Sequence, residues 1–218
     1  MKEKRRASYS ISEEVANSII HGAGTLLSVA GLVIMIIFAS RSDSAWPLVS
    51  CIIFGVSLIF LYSTSTLYHA IQNKSAKEIL RVIDHCAIFI LIAGSYTPFM
   101  LVSLQGAWGW WLFSIIWALA ILGIAIQIKS LERWFFVSLA LYVCMGWAAL
   151  IAIKPLIEVV SVPGLYLLLT GGLAYTGGIV FYLWHKLPYH HAYWHGFVLA
   201  GSVCHFLAVF YYVIPGIK

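Results

Sequence analysis

The sequence predicts an all-α integral membrane protein, folded as a bundle of seven transmembrane helices. Of its 218 residues, 62% are hydrophobic and only 10% are charged, and the mean hydropathy is +0.94. A water-soluble domain cannot cover that much apolar surface with so few polar groups. Seven apolar runs of about 20 residues, the length that crosses the hydrocarbon layer, follow one another along the chain. Because lipid offers no partners to backbone N–H and C=O groups, each run is expected to be a helix.

The seven runs account for nearly the whole chain. We therefore expect residues 1–218 to form a single membrane domain, with a short polar N-terminal segment at residues 1–15. The first run is expected to be a retained span that follows Met1, since no small-residue cleavage site separates it from the second run. The predicted spans are Ile19–Ser40, Trp46–Tyr68, His85–Leu104, Trp108–Ile128, Trp134–Ile153, Val162–Trp184 and Ala192–Ile214.

Lysine and arginine residues predict the orientation of the bundle. Ten of the 13 basic residues precede span one or lie between spans two and three, four and five, or six and seven. By the positive-inside rule, the N-terminus is then cytoplasmic and the C-terminus lies outside. The net charge of +5 is explained by this bias together with anionic lipid headgroups, so no nucleic-acid partner is expected. The ten residues are Lys2, Lys4, Arg5, Arg6, Lys74, Lys77, Arg81, Lys129, Arg133 and Lys186, and the other three are Arg41, Lys154 and Lys218.

Polar side chains from several spans converge at one predicted depth, near the cytoplasmic face. Ionisable groups inside a membrane are costly and mark functional sites. Ser65 and His69 lie at the end of span two, and Asp84 and His85 at the start of span three. His191 and His195 lie at the start of span seven, and span one brings His21 to the same layer.

The spacing of these residues favours a metal site. Ser65 and His69 are four residues apart, as are His191 and His195, which places each pair on one face of a helix. Three neutral imidazoles around tetrahedral Zn²⁺ leave a fourth position for water, the arrangement of a catalytic site. We therefore predict zinc ligands at His69, His191 and His195. Asp84 is predicted to hold or deprotonate the bound water, and the Ser65 hydroxyl to orient it.

Simpler interpretations of the same residues stay open. A histidine within a span can form a hydrogen bond between packed helices, Asp84 can cap the third helix, and the Ser65 hydroxyl can bond to its own helix. His185 and His190, on either side of Lys186, are expected to be solvated. The sequence assigns no role to His21, His85 or His205.

Four segments together resemble the hemolysin III family of bacterial membrane proteins, within the wider group that includes the progestin and adipoQ receptors. They are "EEVANSIIHGAG", "STLYHA", "DHCAIFILIAGSYTPF" and "HHAYWHGFVLAGSVCHF", and the resemblance covers essentially the whole chain. It implies a seven-helix bundle with a cytoplasmic N-terminus, in the cytoplasmic (inner) membrane of a bacterium. In the receptor relatives three histidines near the cytoplasmic face hold a zinc ion, and these match His69, His191 and His195. The serine and aspartate of the family pattern match Ser65 and Asp84.

Three functions follow as hypotheses. The first is zinc-dependent hydrolysis of a lipid amide or ester, in which respect the receptor relatives are similar to ceramidase-type enzymes. The second is pore formation or membrane perturbation, the activity for which the family is named. The third is a non-enzymatic regulator of membrane state that uses zinc only structurally. The lipid bilayer is a partner under each hypothesis, and the sequence defines neither a lipid substrate nor an oligomeric state.

Overall fold

Seven helical spans make up the protein, as the sequence predicts. The computed structural model describes residues 9–214, and within this range there is no β-strand. All seven spans are long and apolar enough to cross a membrane. The helices are α1 (Ile11–Ala39), α2 (Ala45–Ala70), α3 (Lys74–Pro98), α4 (Gly106–Ser130), α5 (Phe135–Gly146), α6 (Ile153–Val159), α7 (Val162–Leu183) and α8 (His190–Tyr212).

Two of the seven spans are not regular helices throughout. After Pro98, α3 continues as a π-helical segment, Phe99–Leu104. The fifth span is α5 and α6 joined by the 3₁₀ segment Ala148–Ala152. Where α5 ends, the Tyr96 hydroxyl donates to the backbone oxygen of Gly146 over 2.8 Å and accepts from the backbone N–H of Ala149 over 2.9 Å. A side chain of α3 thus satisfies backbone groups that a continuous helix would pair internally.

Two helices begin well before the apolar runs that predicted them. The first was expected from Ile19 and begins at Ile11, where Ser10 and Glu13 form a capping box. The third was expected from His85 and begins at Lys74, capped by the Asn73 side chain. Capped polar turns extend a helix beyond its apolar run because side-chain oxygens satisfy the first backbone N–H groups. Both extensions carry residues of the site described below.

Helix packing brings the polar end of the bundle together. Helix α1 packs against α2 and α8, while α2 also packs against α3 and α8 against α7. Buried apolar side chains such as Met35, Phe54, Leu58 and Val209 fill the space between α1, α2 and α8. Met35 and Val209 lie 14 residues along their helices from His21 and His195, about 21 Å at the helical rise. The apolar interior therefore extends from Met35 and Val209 to Tyr62, which contacts His21 at the histidine-rich end.

The histidine-rich end is also the basic end. The connections that carry Lys129, Arg133 and Lys186 lie at the same end as the start of α1 and the start of α3, and Arg41 and Lys154 are toward the other end. The basic residues Lys2, Lys4, Arg5, Arg6 and Lys218 lie outside the described residues. The cytoplasmic location of this end remains a prediction from charge.

We predict that Gly109→Ala destabilises the fold. A Cβ atom at Gly109 would lie 2.2 Å from the backbone oxygen of Met100, which cannot rotate away as a side chain can. Overpacking of this kind costs about 1–3 kcal/mol, so thermal unfolding in detergent is expected several degrees below that of the wild type. Gly196→Ala is the control, because a Cβ there meets no atom within 4 Å. Equal unfolding temperatures for the two variants would contradict the close approach.

Candidate metal centre

Three histidine side chains from two helices meet at the basic end of the bundle. His69 lies in the last turn of α2, and His191 and His195 lie one turn apart at the start of α8. One potential ligand nitrogen from each ring lies within 4.8 Å of the other two. All three residues are buried. The structure thus brings together the histidines that were selected from their spacing, and their binding of zinc stays a prediction.

The start of α8 is fixed by its contact with α1. Tyr189, immediately before α8, has a left-handed backbone conformation with φ 57°, which is uncommon for a residue other than glycine. Its backbone N–H donates to Glu13 Oε1 over 2.9 Å. This hydrogen bond ties the first turn of α8 to the first turn of α1 and so positions His191 and His195.

Unpaired polar atoms surround the point where the histidines meet. Among residues 9–214, His69 Nε2 and His191 Nδ1 are buried and have no hydrogen-bond partner. Buried polar atoms are normally paired, and an unpaired imidazole nitrogen is a preferred ligand of Zn²⁺. The donor set therefore fits a zinc ion held by three histidines better than it fits ordinary contacts between packed helices.

Acceptors on α1 orient two of the three rings. His69 Nδ1 donates to Glu14 Oε2 over 2.6 Å, and His195 Nδ1 lies 3.4 Å from the backbone oxygen of Asn17, to which it donates. With Nδ1 as the donor, each ring presents Nε2 to the centre. Metal-binding histidines characteristically donate their other ring N–H to a carboxylate or a carbonyl group.

Glu14 also connects the centre to α3. Its Oε1 atom lies 2.7 Å from Lys77 Nζ, and Lys77 Nζ donates to the backbone oxygen of Tyr68 over 3.0 Å. Glu14 is only 7% exposed, so both carboxylate oxygens are paired where water is scarce. Sequence reasoning missed Glu14, Asn17 and Lys77 because they lie on polar extensions outside the apolar runs.

Ser65 and Asp84 line the same cavity as His191 and His195. Helix α3 begins at Lys74, so Asp84 lies inside the helix and does not cap it. The hydroxyls of Ser63, Thr64 and Thr66 each donate to a backbone oxygen of α2, whereas Ser65 Oγ makes no such bond and lies beside the Asp84 side chain of α3. Asp84 therefore does not cap its helix and Ser65 does not bond to its own helix, and their catalytic roles remain predictions.

The remaining histidines have different surroundings. His190 is 5% exposed and its Nδ1 donates to the backbone oxygen of Phe181 over 3.1 Å, so the expectation that it is solvated was wrong. The turn at Tyr189 makes His190 the first residue of α8 and directs it into the bundle. His185 is exposed, as expected. His85 Nδ1 donates to the backbone oxygen of Arg81 over 2.8 Å.

Tyr9 covers the centre from the N-terminal side of α1. Its ring centroid lies 4.9 Å from that of His191 and 5.8 Å from that of His69. Burial raises the pKa of the Tyr9 phenol well above its usual range, so the hydroxyl stays protonated at neutral pH. The sequence analysis assigned Tyr9 to the short polar segment, and nothing in its immediate sequence connects it to the histidines.

We predict that the purified protein holds one zinc ion per chain and that His191→Ala loses it. Removing one of three imidazole ligands leaves too few donors for a stable site. The measurement is metal content by mass spectrometry, with His185→Ala as the control because His185 is exposed. Zinc bound equally to wild type and His191→Ala would show that the histidine cluster is not the site.

We also predict that Glu14→Gln weakens zinc binding by about 10-fold to 100-fold, the usual effect of losing an acceptor behind a ligand histidine. Competition with a chelator of known affinity measures the change. Glu132→Gln is the matched control, since Glu132 is 42% exposed in its side chain and pairs with Arg81 at the surface. An unchanged affinity in Glu14→Gln would mean that the hydrogen bond to His69 does not support the metal.

Comparison with known proteins places this chain in a family. The model described as "Haemolysin-III related" matches residues 9–206, a range that includes the three histidines, Glu14 and Asp84. The chain is 49% identical to "Hemolysin-3 homolog" of Bacillus subtilis (strain 168) over 206 residues, 94% of this chain and 97% of that relative. It is 46% identical to "Hemolysin-3" of Bacillus cereus over 216 residues, 99% of each. It is 29% identical to "Monocyte to macrophage differentiation factor" of Homo sapiens over 209 residues, 92% of this chain and 84% of that relative. The chain belongs to the haemolysin-III-related family of membrane proteins.

Proposed function

We propose that this protein is a zinc-dependent hydrolase that cleaves an amide or ester bond in a lipid. The observation that carries the proposal is a cavity of about 120 Å³ that has a polar end and apolar walls. His21, Ser65, Asp84, His191 and His195 form its polar end. A hydrolytic site and a place for an alkyl chain are thus parts of one internal space.

The apolar walls define the class of substrate. Aliphatic side chains from α2, α3, α5 and α8 line the cavity beyond the polar end. They exclude water and favour an alkyl chain over a polar substrate, since removal of apolar surface from water drives such binding. They include Leu61, Ile88, Leu91, Ile92, Val143 and Val198.

The chemistry follows from the groups at the polar end. A zinc ion held by His69, His191 and His195 would act as a Lewis acid and would lower the pKa of a water molecule toward neutrality. Asp84 accepts a proton from the attacking water, whose oxygen forms a bond to the carbonyl carbon. The carbon–nitrogen or carbon–oxygen bond to the leaving group then breaks, and Asp84 passes the proton to the leaving atom. The Ser65 hydroxyl, which lies beside Asp84, orients the water.

The depth of the site suits this reaction. The histidines lie within the first or last turns of their helices, and the cavity extends from them into the bundle. A lipid tail can therefore lie between the helices while its scissile bond stays close to the membrane surface, where the polar product can leave.

The names of the two bacterial relatives favour a second function, damage to membranes. An ion-conducting passage through one copy of the chain would need polar walls along its length. The deeper walls of the cavity are mainly apolar, and the space between α1, α2 and α8 is filled by apolar side chains. A pore would therefore require several copies of the chain.

We predict that Asp84→Asn retains zinc but hydrolyses a fluorogenic long-chain amide or ester about 100-fold to 10,000-fold more slowly than wild type, the range for loss of a general base. Asp43→Asn is the control, since Asp43 is exposed in the loop between α1 and α2. Removal of zinc by a chelator should abolish hydrolysis, and added zinc should restore it. Hydrolysis by Asp84→Asn at the wild-type rate would contradict the role of Asp84.

The same proteins in dye-loaded liposomes distinguish the alternatives. Dye leakage that is equal for wild type and Asp84→Asn, without lipid hydrolysis by either, would support membrane damage in place of catalysis. A regulator that uses zinc only structurally would show neither hydrolysis nor leakage, and His191→Ala would lose its fold.

A further inference from the structure

His21 is a buried imidazole at the polar end of the cavity, and no side chain forms a hydrogen bond with it. It is 3% exposed, neither Nδ1 nor Nε2 makes a hydrogen bond of good geometry within residues 9–214, and its nearest backbone partner is His195. A neutral imidazole carries one N–H donor and one acceptor, and burial of both without partners is costly. Because His21 lines the cavity, a ligand in the cavity is the natural partner for these atoms.

The missing partner is not the zinc ion. The His21 ring stacks on the His195 ring, with centroids 3.5 Å apart and an angle of 13° between the planes. The lone pair of an imidazole nitrogen lies in the ring plane, so an ion bound by His195 lies near the plane of that ring. Because the two rings are stacked 3.5 Å apart, such an ion would lie out of the plane of the His21 ring. His21 is accordingly not among the three histidines whose ligand atoms converge.

Packing fixes the orientation of the ring. One face of His21 lies on His195, and Tyr62 makes an edge contact at 5.0 Å with an interplanar angle of 86°. The Tyr62 hydroxyl donates to Ser202 Oγ over 2.7 Å, so its proton is directed away from His21. Packing thus holds the imidazole in one orientation, as is required of a preorganised hydrogen-bond donor for a ligand.

We propose that His21 donates a hydrogen bond to the carbonyl oxygen of the lipid amide or ester, and that it stabilises this oxygen as it becomes negatively charged. The inference rests on the proposed hydrolase function and deepens it. His21 and His195 both line the cavity, and their rings are stacked with centroids 3.5 Å apart. A carbonyl group that lies beside His195 in the cavity would therefore also lie beside His21.

The roles of His21 and Asp84 are distinct. During hydrolysis the water oxygen bonds to the carbonyl carbon, the bond to the nitrogen or oxygen of the leaving group breaks, and Asp84 carries the proton from the water to the leaving atom. His21 keeps its own proton throughout, because it supplies only a hydrogen bond. The assignment specifies a substrate in which a carbonyl group adjoins a long alkyl chain.

The test compares His21→Phe with wild type in zinc-loaded protein. Phenylalanine keeps the stacked ring and the contact with Tyr62 and removes both nitrogen atoms. His185→Phe is the matched control, since His185 is exposed and outside the cavity. We expect unchanged zinc content, a kcat that is about 100-fold to 1,000-fold lower, as for the loss of one oxyanion donor, and a much smaller change in KM.

A second measurement does not depend on turnover. Equilibrium binding of a long-chain alkylphosphonate monoester, whose anionic oxygens resemble the charged carbonyl oxygen, should weaken in His21→Phe by a factor similar to the fall in kcat. Binding of a long-chain alcohol, which lacks that charge, should change little. His21→Gln, which retains an N–H donor, should recover part of both losses and also serves if His21→Phe does not fold.

Each outcome has a definite meaning. If the wild type hydrolyses the lipid and His21→Phe has the same kcat and the same affinity for the phosphonate, only the proposed role of His21 is overturned. Equal losses in His21→Phe and His21→Gln, or loss of zinc from His21→Phe, also overturn it and indicate a packing or metal-supporting role. Zinc-loaded wild type that neither hydrolyses lipid amides or esters nor binds the phosphonate overturns the proposed function and this inference together.

Discussion

A carboxylate inside an apolar helix bundle must be paired, and the pairing of Glu14 determines how the helices meet at the basic end. An isolated charge in such surroundings is very costly, so a buried carboxylate needs charged or hydrogen-bonding partners. Glu14 satisfies one oxygen with His69 and the other with Lys77. These partners come from α2 and α3, so the starts of α1 and α3 and the end of α2 must lie together. The position of His69, and with it the histidine cluster, follows from this requirement.

The same helix organises the other side of the cluster. Asn17 accepts from His195 through its backbone oxygen, and Glu13 accepts from the backbone of Tyr189 just before α8. Glu14, Asn17 and His21 are spaced three and four residues apart, so they lie along one buried stripe of α1. Farther along α1, the stripe continues with small and apolar residues against the core. One helix face therefore combines hydrogen bonds to two of the clustered histidines, the imidazole of His21 at the cavity and ordinary packing.

The sequence predicted the parts of this arrangement that follow from local spacing. Apolar runs of membrane-spanning length predicted the seven spans, and two pairs of residues four apart predicted which histidines and which serine share a helix face. Glu14, Asn17 and Tyr9 were missed, because the first helix was assigned from its apolar run and these residues precede it. For Glu14 and Asn17 a signal was present, since Ser10 and Glu13 have the spacing of a capping box and would have extended the helix, whereas Tyr9 lies before this cap. The burial of His190 had no comparable signal, because it depends on the left-handed turn at Tyr189.

Tyr96 shapes one wall of the cavity through a helix to which it does not belong. Its hydroxyl replaces hydrogen bonds of the interrupted fifth span, and Gly146 and Trp147 at the interruption line the cavity. The contour of this wall is consequently set by a hydrogen bond between α3 and the fifth span. A substitution at Tyr96 would therefore change the shape of the cavity at this interruption without replacing any of the three clustered histidines.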